Sequence, residues 1–67
     1  MTDKIKAIKR TSGFGFIKDE LGHDRFFHIN HLENTNFDTL NEGDIVEFEA
    51  YEEEGKGSRA RRVRRAA

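Results

Sequence analysis

The stretch Ser12-Gly13-Phe14-Gly15-Phe16-Ile17 carries two phenyl rings two residues apart, flanked and separated by glycines. In a strand, Phe14 and Phe16 turn to one face and Gly13, Gly15 and Ile17 to the other. The glycine face offers almost no side chain, so a second layer of backbone can come close behind it. Two rings on a flat, supported surface suit stacking against nucleic-acid bases, because every base has a π-face. An isolated Phe-x-Phe is more often core than platform, so the surrounding chain has to decide between the two.

The segment Arg25-Phe26-Phe27-His28-Ile29 repeats the pattern, with Phe26 and His28 on one face and Arg25, Phe27 and Ile29 on the other. A first strand is expected over residues 4–9, where β-branched residues alternate in part with lysines. The turn 10–13 is short enough to make an antiparallel hairpin with the strand that begins at Phe14. The polar stretch 19–24, with Gly22, reads as the next turn. A three-strand meander built this way aligns Phe14, Phe16, Phe26 and His28 on one surface, where several consecutive bases could stack.

Residues 30–43 form a longer connection. His31-Leu32-Glu33-Asn34 has room for a single helical turn, Leu40 is expected to plug the core, and Phe37, set among Asn36, Asp38 and Thr39, is expected to stay out of it. A fourth strand runs over 45–51, with Val46, Phe48 and Ala50 inward and Glu47 and Glu49 in water. Glu52-Glu53-Glu54-Gly55-Lys56-Gly57 is a charged loop. A fifth strand over 58–64 has only Ala60 and Val63 to bury; their spacing of three breaks alternation and predicts a bulge. Five short strands without a long helix suggest a small closed barrel, which leaves no free edges.

Charge is segregated along the chain. Residues 1–18 hold Lys4, Lys6, Lys9, Arg10 and Lys18 against Asp3, and residues 55–67 hold Lys56, Arg59, Arg61, Arg62, Arg64 and Arg65 with no acid. The remaining twelve of the thirteen acids lie between, with Arg25 as the only base among them. A fold that brings both ends beside the rings would create a local basic field despite a net charge of -1. From charge alone, the simpler reading is a surface that keeps a small domain soluble.

Composition narrows the function classes. Sixty-seven residues make one domain, and with no cysteine there is neither a disulfide nor a thiolate metal site. His23, His28 and His31 fit no common zinc spacing, and no metal is expected. The clustered Glu52-Glu53-Glu54 reads as a solvated loop rather than a catalytic or Mg²⁺ site. No phosphate-cradling loop, nucleophile set or buried acid–base pair is present, so neither enzymatic activity nor a cofactor is expected. The N-terminus lacks the apolar run of a signal peptide, and nothing approaches the length of a membrane span. A cytoplasmic monomer without a small-molecule substrate is therefore expected.

With these residues placed, nearly the whole chain resembles the bacterial cold-shock proteins. Gly13-Phe14-Gly15-Phe16-Ile17 matches the family's first ribonucleoprotein motif, and Asp24-Arg25-Phe26-Phe27-His28-Ile29 resembles its second. Asn36-Phe37-Asp38-Thr39-Leu40-Asn41-Glu42-Gly43 resembles the loop that carries a further exposed ring. The resemblance implies an all-β, five-stranded antiparallel barrel of the OB type that binds single-stranded RNA and DNA. It assigns Phe14, Phe16, Phe26, His28 and Phe37 to base stacking, Lys6 to the binding face, Lys56 to a loop beside it and Asp24 to a base edge. Lys9 and the C-terminal arginines, Arg59 among them, are expected to hold phosphates. The family-level role is that of an RNA chaperone.

The departures from the pattern carry their own expectations. The family's first-strand tryptophan falls at Ala7, which predicts weaker binding or a shorter footprint. It also puts Ala7 outward, whereas simple alternation would bury it with Ile5. Ser12 lacks a phosphate-binding charge, and Ile29 can pack on a base but not stack as a ring. Arg25 stands where an inward valine is usual, with its stem expected at the barrel rim and its head in water. The basic fifth strand is expected to shift part of the binding from stacking to electrostatics. An RNA-recognition motif, which needs two helices, does not fit. A protein-interaction module using the same aromatic patch is the alternative.

Overall fold

The computed structural model describes residues 1–66. Five strands, β1 (Thr2–Lys9), β2 (Phe14–Lys18), β3 (Asp24–His28), β4 (Ile45–Glu53) and β5 (Gly57–Arg65), close into a barrel in the order β1-β2-β3-β5-β4. Four of the five pairings are antiparallel; the barrel closes through a parallel contact between β3 and β5, with Phe26 opposite Arg59. β1, β4 and β5 extend one or two residues beyond their expected ends, β2 keeps its expected span, and β3 is shifted one residue earlier, to end at His28; the expected turn at 31–34 likewise lies earlier, as a 3-10 turn over Ile29–His31. A second 3-10 turn covers Phe37–Thr39.

Within β2, β3 and β4 the inward faces are those that alternation selects, but Ile29, expected on the Phe27 face, lies just past the end of β3 and is exposed. Ile17, Phe27, Leu40, Val46, Ala60 and Val63 are fully buried, with Ile5 and Phe48 nearly so. Two bulges reconcile this core with the sequence. In β1, Ile5 faces Ile17 but Ala7 faces Phe16, so Lys6 is an extra residue. Ala7 consequently turns outward beside Phe16, half-buried, while Ile8 packs against the core. The conflict over the first strand resolves in favour of an outward Ala7. In β5, Glu47 pairs with Arg64 and Glu49 with Arg61, which leaves two residues opposite Phe48. Arg62 takes up the extra length at φ +53°, and this lets Ala60 and Val63 both point inward despite their spacing.

Gly15 is the point where β2 lies closest to its neighbours. A Cβ there would come within 2.7 Å of both the Ala7 carbonyl oxygen and the Phe27 ring. One contact is backbone and the other a fully buried ring, so neither yields easily. Gly15→Ala is expected to cost about 1–3 kcal/mol, the range for overpacking a core. Urea unfolding would measure this as a lower midpoint at unchanged slope.

The segregated charges meet across strands. Arg61 pairs with Glu49, Arg64 with Glu47 and Glu33, Arg62 with Glu33, and Arg65 with Asp44. The acidic middle and basic end of the chain thus neutralise each other along β4, β5 and the connection after β3. The C-terminal arginines expected to hold phosphates form, for these four, a ladder of surface ion pairs. Hydrogen bonds from Arg62, with help from Arg64, hold the Glu33 carboxyl below the usual carboxylate range. Backbone amides of His23 and Leu21, 2.9 and 3.0 Å away, do the same for Asp19 against the opposing effect of its burial. Because both folded values lie below the unfolded ones, their stabilisation is complete above the usual range and is lost as pH falls through the lowered values. Glu33→Gln is therefore expected to lose less stability than the parent between neutral and acidic pH, as read by circular dichroism of denaturant melts.

Candidate nucleic-acid interface

Outward positions of β2 and β3 follow directly from the buried ones. Gly15, Ile17, Arg25 and Phe27 point in, so Phe14, Phe16, Phe26 and His28 point out, each half-buried. The register places Phe14 opposite His28 and Phe16 opposite Phe26. Phe14 lies 5.7 Å from Phe16, edge to face, and 5.3 Å from Phe26 at a tilt of 34°. Phe16 and Phe26 complete the triangle at 5.9 Å. Contacts of this kind hold each ring in place, so the three form a fixed aromatic surface over the Gly15–Phe27 floor. His28 continues it, its Nδ1 accepting a hydrogen bond from the Asn30 amide. That bond makes Nδ1 the acceptor and fixes the ring's orientation.

Arg59 enters this surface from β5. Its guanidinium carbon lies 4.3 Å from the centroid of the Phe26 ring, so Phe26 sits between Phe14 and a cation. Arg59 Nε is 2.8 Å from Glu53 Oε2, close enough for an ion pair but out of line for a hydrogen bond. Arg59 thus adds a planar cation to the ring array.

The other expected site residues divide. Lys9 is exposed at the rim, opposite Phe14. Ile29 is exposed and packs near Gly13, adjoining the rings. Lys6 Nζ bonds both carboxylate oxygens of Asp24 at 3.0 Å, so these two share the face but partly cancel in charge. Lys56 lies in the β4–β5 turn, 4.0 Å from Glu53.

Two expectations need correction. Phe37 is buried with the core, only 4% exposed, rather than displayed on its loop. The 3-10 turn that carries it is capped by Asn36 Oδ1, which accepts from the Asp38 amide at 2.9 Å. Arg10 then ties the turn down, donating to the Phe37 and Leu40 carbonyls at 3.1 and 2.6 Å. Polar neighbours stay in water while the turn directs the ring inward. Arg25 is the second correction. Its head is not in water but buried, donating to the carbonyls of Tyr51 and Arg59 and to Glu52.

Two groups that sequence reasoning left unassigned now have neighbours. Arg10, expected only to lie in a turn, anchors the Phe37 loop. Tyr51 lies half-buried under Arg61, whose guanidinium carbon is 4.8 Å from the ring centroid, and beside His31. Tyr51's register with Glu47 and Glu49 marked it as outward, but nothing local signalled the partners that β5 brings to it. Among the described residues, no group of three His, Asp or Glu side chains is placed to hold a metal ion, and no helix is long and apolar enough to cross a membrane.

Comparison with known proteins agrees with this geometry. The profile of the 'Cold-shock' DNA-binding domain matches residues 1–66. Cold shock-like protein CspLB of Listeria monocytogenes is 42% identical over 62 residues, 92% of each chain. A cold shock-like protein of Thermotoga maritima is 41% identical over 64 residues, 96% of each chain. Cold shock protein CspV of Vibrio cholerae is 41% identical over 64 residues, 94% of this chain and 90% of its own. The family binds single-stranded nucleic acids and is not enzymatic. A closed five-stranded barrel, an outward aromatic surface and a match over almost the full length lead to one assignment: the chain belongs to the cold-shock DNA-binding domain family and is a nucleic-acid-binding protein.

Proposed function

We propose that this protein captures unpaired RNA or DNA by stacking bases on Phe14, Phe16, Phe26 and His28, with Ile29 packing beside them. One observation carries the reading: three phenyl rings stand in mutual contact on the outside of the barrel, while Phe27, from the same motif, fills the inside. Large rings left in water lose the benefit of burial, about 1.5–3 kcal/mol for a phenylalanine. A half-exposed trio of mutually inclined rings backed by a rigid floor recovers part of it when bases cover the rings. A duplex hides its base faces, so the same surface favours single strands and works against hairpins. That selectivity is the physical basis for an RNA-chaperone role, acting in the cytoplasm as a monomer.

Lys9, Lys56 and Arg59 supply the phosphate contacts, with Lys6 joining when it exchanges Asp24 for a phosphate. Arg59 and Lys56 share Glu53, and the β5 arginines beyond Arg59 also face acids, so few net cations remain to release counterions. With two to four effective contacts, log K is expected to fall with log salt at a slope of about -1.4 to -2.8, at about -0.7 per phosphate for single strands. Chemical-shift mapping with a short oligo-U and a matched duplex tests the reading. The single strand should move the resonances of residues 14, 16, 26 and 28, and the duplex should leave them largely in place. Equal shifts with both, or none with either, would remove it.

A further inference from the structure

The aromatic surface does not end at β3. Phe16 is opposite Phe26, Phe26 is opposite Arg59, and Arg59 is opposite Tyr51, so one outward row crosses β2, β3, β5 and β4. A second path reaches the same place: the His28 ring is 6.4 Å from His31, and His31 is 6.5 Å from Tyr51, both edge to face. The two paths meet where Arg61 lies over the Tyr51 ring. His31 and Arg61 also border an open groove of about 270 Å³, which Asn30, Leu32, Glu33 and Arg62 complete.

We infer that His31, Tyr51 and Arg61 form a further nucleotide subsite, which receives one more base and its phosphate from a strand already lying on the Phe14–Phe16–Phe26–His28 surface. The inference rests on the stacking reading above and extends its track around the barrel. Arg61 suits the role chemically. Its Nε bonds Glu49 Oε1 at 2.8 Å, which holds the guanidinium over Tyr51, and half of the side chain remains exposed. A guanidinium has five donors in one plane, so edge donors remain for a phosphate while the face turned away from Tyr51 remains for a base. Glu33, the acid in the groove, already accepts from Arg62 and Arg64 and so opposes an incoming phosphate less than a free carboxylate would.

His31 is the adjustable part. Its Nδ1 is covered and has no hydrogen-bond partner among the described residues, unlike that of His28. A covered, unpaired ring nitrogen leaves the ring without the bond that would fix its orientation. A turn of the ring about its Cβ–Cγ bond brings that nitrogen out to the groove, where an entering base can make the contact that the folded chain leaves unmade. The position of this subsite also offers a counterpart to the missing first-strand ring at Ala7: the row has no ring at its β1 end, where Ala7 faces Phe16, and carries one, Tyr51, at its β4 end.

Tyr51 is the only tyrosine, and the chain has no tryptophan, so its ring signals report this subsite alone. The experiment follows aromatic resonances of the intact protein during titration with oligothymidylates from trimer to heptamer. The trimer should move the phenylalanine rings, and the longer strands should also move Tyr51 and His31. Tyr51→Leu and, separately, His31→Ala should lower the heptamer-to-trimer affinity ratio about fivefold, the lower end for loss of one stacking contact. If the heptamer moves the phenylalanines but leaves Tyr51 and His31 unmoved, the subsite is wrong and the stacking surface stands. If no ring moves, both fall. The wild-type titration decides the matter even if a variant fails to fold.

Discussion

Arg25→Ala is expected to destabilise the protein by about 3 kcal/mol, the lower end for removing one partner of a buried ion pair. A chain of this length has roughly 3–10 kcal/mol in total, at about 0.05–0.15 kcal/mol per residue, so the variant should approach half-unfolded at the low end of that range. The Arg25 side chain is 10% exposed, and its guanidinium joins three parts of the barrel. Nη1 donates to the Tyr51 carbonyl at 3.3 Å, the Arg59 carbonyl at 3.1 Å and Glu52 at 3.2 Å, while Nη2 reaches Asp19 at 3.5 Å. Those contacts fasten the β4–β5 hairpin to β3 where the barrel has its one parallel closure. Asp19 retains the His23 and Leu21 amides when Arg25 is lost, which is why the lower end of the range applies. Arg25→Lys should recover little, because one ammonium cannot span two carbonyls and two carboxylates in the geometry of a planar fork. Arg25→Val should be milder than alanine, since it fills part of the volume. Urea midpoints for the three variants check the order; an alanine variant within 1 kcal/mol of the parent would show that water replaces the guanidinium at no cost.

Arg25 also marks where reading the sequence stops working. Alternation placed it on the inward face correctly, but its polarity argued for a head in water. What decides its burial is the presence of two carbonyls and two carboxylates between 6 and 34 residues away. Phe37 fails in the same way: the polar composition of its loop was legible, but the Arg10 tether 27 and 30 residues distant was not. The β5 arginines read as phosphate-holding cations because their acids lie on β4 and after β3, out of sight of any local window. By contrast, the features set by neighbours in sequence were legible. The inward faces of β2, β3 and β4 follow from period-two alternation, and the spacing of Ala60 and Val63 announced the bulge at Arg62. The outward trio Phe14, Phe16 and Phe26 belongs to this legible class, since a strand with Ile17 or Phe27 fully buried has no choice about its other face. The parallel β3–β5 closure does not, because hairpin rules concern consecutive strands.

Phe16→Ala and Phe37→Ala should separate into a binding defect and a folding defect. Phe16 is half-exposed and touches Phe14 and Phe26 by ring contacts worth about 0.5–1.5 kcal/mol each, so its loss should lower stability modestly. Affinity for oligo-dT and oligo-U should fall about five- to hundredfold, as expected for a stacking contact of roughly 1–3 kcal/mol. Phe37 is 4% exposed and packs with the core, and its truncation should cost about 3–5 kcal/mol of stability. Its affinity, measured well below the unfolding transition, should stay near that of the parent. Fluorescence anisotropy of labelled oligomers and urea melts of the same samples give both axes. A Phe16→Ala protein that kept full affinity would turn the aromatic surface into a docking face for another protein. A stable Phe37→Ala protein with weakened binding would mean that the ring leaves the core to meet a base, at a free-energy cost the strand would have to offset. The two substitutions therefore test separate claims, that the outer rings bind and that the loop ring holds the barrel, and neither result can stand in for the other.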